Sequence, residues 1–166
     1  MATFIPYGPF ELPVKKLKNG RRIVRDDIDA FFEINGCGDD VGVYVFTLTT
    51  ARGAEYPYYV GHTIRGFSSE CFQPHKIEKY NEILAEHHGR PKMYFLVLDT
   101  KYNVRAIKAL EVTMIGLGME RNPDMRNVMH TRKDEIDVMD VLGAAREKGA
   151  RLKSARFFRK AMGLVD

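Results

Sequence analysis

One carboxylate in this sequence stands where a carboxylate is energetically costly. Apolar residues recur at spacings of three and four from Ile107 to Gly118, which is the pattern of a helix that packs one face on a core. Glu111 falls inside this apolar stripe, directly after Leu110. Because a buried carboxylate without a partner is destabilising, Glu111 either lies at the edge of the stripe, pairs with an arginine, or binds a divalent metal ion at the floor of a site.

Two tyrosines lie in neighbouring segments that have the composition of strands. Residues 41–48 alternate in the period of a strand rich in β-branched and aromatic side chains, and the short run 58–61 follows a breaker segment. We expect the two runs to form an antiparallel hairpin. With a turn centred between residues 51 and 52, Tyr44 and Tyr59 would face each other with their rings in contact. The same pattern is typical of a core hairpin with two half-buried tyrosines.

These residues are expected to be positioned by a small α/β fold. A helix of about residues 74–88 follows the hairpin, and the apolar run 93–98 is predicted to be a buried strand, the third of the sheet. A short helix is predicted from Asp26, and a terminal one at about residues 154–162 with Ser154 as its N-cap. The predicted fold class is therefore a small antiparallel three-stranded sheet flanked by helices.

Length and composition indicate one soluble domain. The chain has 166 residues, of which 45% are hydrophobic and 29% charged. We expect a single domain of residues 1–166, with an irregular N-terminal arm (1–40) and a tail (131–166) packed on it. There is no signal peptide and no apolar run near the ~20 residues of a membrane span. The two cysteines, Cys37 and Cys71, show no disulfide or metal-ligand spacing, so a cytoplasmic location is expected.

Positive charge is concentrated near both ends of the chain, although the formal net charge is only +4. Such clusters are either a solvated surface or an edge that contacts phosphates. The residues predicted to bind nucleic acid are Lys15, Lys16, Lys18, Arg21 and Arg22 in the first cluster, and Arg151, Lys153, Arg156, Arg159 and Lys160 in the second.

The two tyrosine segments also form a recognisable signature. Gly42-Val43-Tyr44 and Tyr59-Val60-Gly61 resemble the two halves of the motif of the GIY-YIG nuclease family. Their separation is a few residues longer than is usual there, and the turn between the strands absorbs the insertion. Glu111, on a helix after the third strand, and Asn127 follow in the order found in the family. The resemblance covers about residues 40–128.

The resemblance implies an endonuclease that hydrolyses phosphodiester bonds of DNA with Mg²⁺ or Mn²⁺, as a restriction, repair or mobile-element enzyme. Glu111 would be the metal ligand, and Asn127 would fix the site through hydrogen bonds. Tyr44 would be the general base or the water-orienting group, with Tyr59 beside it. A tyrosine with the ordinary pKa of ~10 is a poor base unless the metal and neighbouring cations favour the phenolate.

The sequence departs from the family at its catalytic arginine. The family carries this arginine about two turns past the second motif, often with a histidine one turn later. Here a serine, a glutamate or a cysteine of residues 69–71 stands at that position. His75 fits the family's histidine, and the nearest cations in the sequence are Arg65 and Lys76. We expect one of these two to supply the missing charge.

Two other functions stay open at this point. The missing arginine favours a catalytically inactive nucleic-acid-binding module on the same fold, whereas the tyrosines and Glu111 argue against it. An RNA-cleaving defence or toxin nuclease is a second alternative to the DNA endonuclease. The histidines His62, His87 and His88 are expected to be structural or exposed.

Overall fold

Strands and helices are interspersed along the chain, and four of the strands form one central sheet. The computed structural model describes residues 2–127, 146–147, 150–151 and 153–164. In chain order the elements are β1 (Phe4–Glu11), β2 (Lys15–Leu17), β3 (Gly20–Arg22), α1 (Arg25–Ile28), α2 (Phe31–Asn35), β4 (Gly42–Thr49), β5 (Glu55–Thr63), α3 (Phe67–Glu70), α4 (Pro74–Glu86), β6 (Arg90–Leu98), α5 (Val104–Arg121), β7 (Arg146–Glu147), β8 (Ala150–Arg151) and α6 (Lys153–Ala161). The central sheet is antiparallel in the order β1-β6-β4-β5, while β2 pairs with β3 and β7 with β8.

The central sheet separates two apolar cores. Side chains alternate along β4, so Tyr44 and Phe46 belong to one core with residues of α1 to α4. Val43 and Val45 belong to the other core, which α5 and α6 complete. Because both faces are covered, every residue of β4 is buried. The predicted antiparallel sheet flanked by helices is confirmed in this outline.

The sheet has four strands rather than the predicted three, because part of the N-terminal arm is a strand. β1 pairs antiparallel with β6 along its length, with a register shift between Tyr7 and Phe10. Two prolines and a glycine within residues 6–9 obscure the period of two in the sequence. Proline is nevertheless tolerated in an edge strand, where a missing N–H faces solvent. The single short helix predicted from Asp26 is also divided, into α1 and α2.

The three long helical segments lie where their patterns predict them, with small differences at the ends. α4 and α5 carry the expected apolar faces toward the two cores. α6 begins at Lys153, so Ser154 is inside the helix and is not its N-cap. Val128 and residues 131–145 of the tail lie outside the described residues. Within the described ranges, no helix is both long and apolar enough to span a membrane.

The register of the β4–β5 hairpin differs from the predicted one. Tyr44 lies opposite Gly61 and Tyr59 lies opposite Phe46, so the two tyrosines are diagonal neighbours rather than a directly facing pair. Between the pairs Thr47–Pro57 and Phe46–Tyr59, β5 has one more residue than β4. This bulge at Tyr58 shifts the register of all pairs on the Tyr44 side of it. The tyrosine rings still approach each other, with centroids 6.2 Å apart, which is within contact range for aromatic side chains.

Gly61 is the residue that lets Tyr44 lie against β5. A methyl group on Gly61 would overlap the ring and hydroxyl of Tyr44, and both residues are buried. Gly42 is required in a similar way, since its φ is 152° and a Cβ would overlap the carbonyl oxygen of Leu96. The glycines of the two tripeptides are therefore explained by close packing.

Replacing Gly61 by alanine is expected to destabilise the protein by about 1–3 kcal/mol, the usual cost of overpacking a core. Gly116 offers a matched control, since a Cβ on this helical glycine would meet open space. Gly116→Ala should raise stability by about 0.5–1 kcal/mol through helix propensity. Urea unfolding followed by circular dichroism measures both variants. A Gly61→Ala protein as stable as the unmodified one would show that Tyr44 does not occupy this position.

Candidate active site

The outer edge of β5 is covered by the segment that follows α5. The side-chain amide of Asn127 donates to the carbonyl oxygen of Val60 at 2.7 Å and accepts from its N–H at 2.9 Å. The backbone N–H of Arg126 donates to the carbonyl oxygen of Tyr58 at 2.8 Å. These bonds satisfy groups that an edge strand would leave open. Asn127 thus holds the edge of β5 in place.

The Tyr44 hydroxyl is buried and has no hydrogen-bond partner within the described part of the chain. It lies over Gly61, with the rings of Tyr59 and Phe67 at 6.2 and 6.3 Å between centroids. Burial raises the pKa of this phenol far above its ordinary value, and among its neighbours Glu111 adds to the rise. An unsatisfied buried hydroxyl costs about 1–3 kcal/mol, and such groups often mark functional positions.

Tyr59 is held by a lysine from α4. Lys76, on the first turn of α4, donates from Nζ to the Tyr59 hydroxyl at 2.6 Å. The ammonium groups of Lys76 and Lys79 also lie 5.0 and 4.9 Å from the centroid of the Tyr59 ring, which is cation–π distance. Lys76 is in addition 3.9 Å from the carboxylate of Glu70. A fixed positive charge thus stands beside the tyrosine pair.

Glu111 is partly exposed and pairs with a histidine, not with an arginine. Its Oε2 lies 2.8 Å from Nδ1 of His62, and the two side chains are 19% and 28% exposed. His62 comes two residues after Val60 on β5, so strand alternation directs both toward the face on which α5 packs. The sequence prediction missed this histidine because it ended the strand at Gly61. The alternation, extended by one residue, is the signal that identifies it.

The two halves of the site lie on opposite faces of β5 and meet at Gly61. Tyr44, Tyr59 and Lys76 belong to the face covered by α3 and α4, whereas Glu111 belongs to the face covered by α5. Gly61 packs against Tyr44 on one of these faces, whereas His62, the next residue along the strand, pairs with Glu111 on the other.

The donor set at Glu111 suits only a metal that needs few protein ligands. Within the described ranges, no group of three or more histidine, cysteine, aspartate or glutamate residues is placed to hold a metal ion. Zinc sites normally have three or four such ligands. Mg²⁺, in contrast, is commonly held by one or two carboxylates together with waters and substrate phosphates. A partly exposed carboxylate such as Glu111 fits that requirement.

The other residues predicted for catalysis lie near the site in sequence but are exposed. His75 is the second residue of α4, directly before Lys76. Arg65 lies in the turn after β5, where its backbone N–H donates to Oγ1 of Thr63 at 3.2 Å. Of the two candidate cations, Lys76 is the one that hydrogen-bonds a tyrosine of the site.

The two basic clusters differ in what surrounds them. In the first, the Arg21 guanidinium donates to the carbonyl oxygens of His87 and Gly89, and Lys18 and Arg22 line a depression together with glutamates. Lys15 and Lys16 are exposed on β2. In the second cluster, Arg151 belongs to β8, and Lys153, Arg156, Arg159 and Lys160 belong to α6. Comparisons of the chain with models of protein families, with curated proteins and with solved structures give no match.

Proposed function

We propose that this protein is a metal-dependent endonuclease of the GIY-YIG type, which hydrolyses phosphodiester bonds of DNA. The observation that supports it most is the buried Tyr44 hydroxyl, which lies without a partner beside the strand residue adjoining the His62–Glu111 pair. A structural tyrosine would be expected to satisfy its hydroxyl, so a buried hydroxyl without a partner supports a functional role.

Glu111 would hold the Mg²⁺ or Mn²⁺ ion, which when bound supplies a positive charge against the reacting phosphate and a more acidic water. His62 would keep the carboxylate oriented through the hydrogen bond from Nδ1 to Oε2. The remaining oxygen of Glu111 is then available to the ion. His62 is a positioning residue in this proposal.

Tyr44 would orient the attacking water with its hydroxyl rather than remove its proton. Burial raises the pKa of Tyr44 well above its ordinary value, so the phenol is neutral at physiological pH. A neutral phenol both donates and accepts a hydrogen bond, which suffices to hold a water in line with the phosphorus. The water-orienting role is therefore preferred over the general-base role.

Lys76 would supply the charge that the family's arginine normally carries. Its ammonium group lies at the tyrosine pair and is fixed there by the bond to Tyr59. A preorganised cation of this kind stabilises the charge that develops on a transferring phosphoryl group. Arg65 and His75 remain candidates for contacts to the substrate phosphates, since both are exposed.

Replacing Tyr44 by phenylalanine is expected to separate activity from stability. The variant loses only a buried, unpartnered hydroxyl, so its free energy of unfolding should be unchanged or higher by about 1 kcal/mol. Cleavage should slow about 10²-fold or more, because the water is no longer oriented. Thermal unfolding and cleavage rates are measured on the same preparations. Full activity in Tyr44→Phe would remove this hydroxyl from the mechanism.

The substrate class is tested with labelled oligonucleotides of one sequence as duplex DNA, single-stranded DNA and single-stranded RNA. Each is incubated with Mg²⁺, Mn²⁺ or EDTA, and the products are separated on a denaturing gel. The proposal expects metal-dependent fragments from DNA. Fragments from RNA alone would identify a ribonuclease. A catalytically inactive binding module, which the absence of an arginine at residues 69–71 favours, would bind the labelled oligonucleotides without cutting any of them.

A further inference from the structure

α6 and the end of α5 form a depression in which every charged lining residue that the structure describes is a cation. It has a volume of about 650 Å³, and we call it the basic depression. Besides Gly163 and Leu164, its lining residues are Arg121, Lys153, Arg156, Phe157, Arg159 and Lys160. The depression lined by Lys18 and Arg22 is different, because Glu78 and Glu82 line it as well. Among the described residues, the first surface is thus lined by cations and no acid, whereas the second has glutamates beside its cations.

The cations of the basic depression are presented by rigidly packed elements. Phe158 of α6 is fully buried and packs edge-on against Tyr94, with ring centroids 5.5 Å apart. The Arg121 guanidinium stacks over the Tyr56 ring at 4.6 Å and donates to the backbone carbonyl of Glu55 at 3.4 Å. Since these contacts fix both helices, little conformational entropy would be lost when a ligand binds.

Glu55, whose backbone carbonyl accepts from Arg121, has a carboxylate that is already engaged. The buried carboxylate of Glu55 accepts hydrogen bonds from Thr47 at 2.6 Å and from Tyr94 at 3.0 Å. Each of its two oxygens therefore has a partner within the sheet. The charge of the basic depression is complementary to a polyanion that reaches it from solvent.

An aromatic ring lies among the cations. Phe157 is 38% exposed although it neighbours the buried Phe158, and Nζ of Lys153 lies 5.8 Å from its ring centroid. Exposed aromatic rings beside lysines and arginines are the arrangement on which unpaired bases stack while their phosphates are neutralised. In a duplex the faces of the bases are stacked on one another and cannot contact Phe157. An acidic peptide has no bases that would stack on this ring.

We propose that the basic depression binds a single-stranded stretch of nucleic acid, with a base on Phe157 and phosphates on Lys153, Arg156 and Lys160. Glu111 and Arg121 are ten positions apart on α5, which is about 15 Å along a helix. The offset rests on the proposed nuclease function, whereas the binding itself does not.

Binding is measured by fluorescence anisotropy in EDTA, with a fluorescein-labelled 20-nucleotide single strand of DNA and the matching duplex. The Arg156→Ala/Lys160→Ala protein is compared with Lys18→Ala/Arg22→Ala, which removes the same charge elsewhere. Phe157→Ala is compared with Phe157→Trp, which keeps a stacking surface. All four alter residues on the surface, and thermal unfolding confirms that each variant is folded.

We expect the single strand to bind more tightly than the duplex. Arg156→Ala/Lys160→Ala should flatten the slope of log affinity against log salt by about 1.4, from about 0.7 for each lost phosphate contact. Phe157→Ala should weaken binding at least about fivefold, and Phe157→Trp should restore it. Lys18→Ala/Arg22→Ala should change the slope less than the first pair.

Four results would overturn this assignment. Equal losses from the two charge pairs would indicate general attraction and no local site. Tighter binding of the duplex, or no effect of Phe157→Ala, would remove the stacking contact. Displacement of the oligonucleotide by polyglutamate or by anionic phospholipid vesicles at equal charge concentration would assign the surface to an acidic protein or a membrane. Absent cleavage by the unmodified protein would contradict the proposed nuclease and leave this binding result unaffected.

Discussion

Replacing Glu111 by glutamine is expected to reduce DNA cleavage by about 10³-fold or more while the protein stays folded. Among the described residues, Glu111 is the one protein ligand assigned to the metal in the proposed site. A bound metal supplies several kcal/mol of transition-state stabilisation, and about 1.4 kcal/mol corresponds to a tenfold change in rate. Glutamine keeps the size of the side chain, and the position is partly exposed. Activity on supercoiled plasmid and the unfolding temperature are measured together.

Two further variants make this prediction specific to the site. Glu78→Gln removes the same charge from an exposed position on α4 and should leave cleavage unchanged. His62→Ala removes the partner of Glu111 and should cost about 10–100-fold, the range for residues that orient a metal ligand. This loss should diminish at high metal concentration, because positioning affects metal affinity first. Wild-type rates in folded Glu111→Gln would exclude Glu111 as the ligand.

Replacing Lys76 by alanine is expected to slow cleavage by about 10²–10³-fold with little change in DNA binding. A cation that acts on charge developing in the transition state affects the rate far more than the affinity. Lys76→Arg should recover part of the rate, since it restores a cation at Tyr59. Single-turnover cleavage rates and anisotropy with uncut DNA in EDTA separate the two effects.

Lys79 and Arg65 provide the comparisons for Lys76. Lys79 lies equally close to the Tyr59 ring, but the hydroxyl is bonded by Lys76, so Lys79→Ala should cost only a few-fold. Arg65→Ala should likewise cost a few-fold if its contact is to substrate phosphate. If neither Lys76→Ala nor Arg65→Ala slows cleavage more than a few-fold, neither Lys76 nor Arg65 supplies the charge expected from a catalytic arginine.

The elements with strong local patterns could be predicted from the sequence, whereas those set by tertiary contacts could not. The periodicity of α5 predicted its buried face, and the alternation of β4 predicted the hairpin. β1 was missed because prolines and a glycine interrupt its period, and only pairing with β6 makes it a strand. The tyrosine register was missed because a bulge at Tyr58 depends on the fold and not on turn composition.

The candidate site shows the same division. Tyr44, Tyr59, Glu111 and Asn127 could be selected from residue type and order, and the contacts that hold them are visible only in three dimensions. The partner of Glu111 is a histidine on β5, and the apolar pattern of α5 cannot identify a residue on another element. Gly61 likewise reads as a strand glycine until its contact with Tyr44 is known.

The most direct test of the proposed activity is the conversion of supercoiled plasmid to nicked or linear forms by the unmodified protein. The reaction is run with Mg²⁺, with Mn²⁺ and with EDTA, beside the Glu111→Gln protein purified in parallel. The account predicts nicking that requires a divalent metal and disappears in the variant. Intact supercoiled plasmid with either metal, or equal nicking by Glu111→Gln, would contradict it.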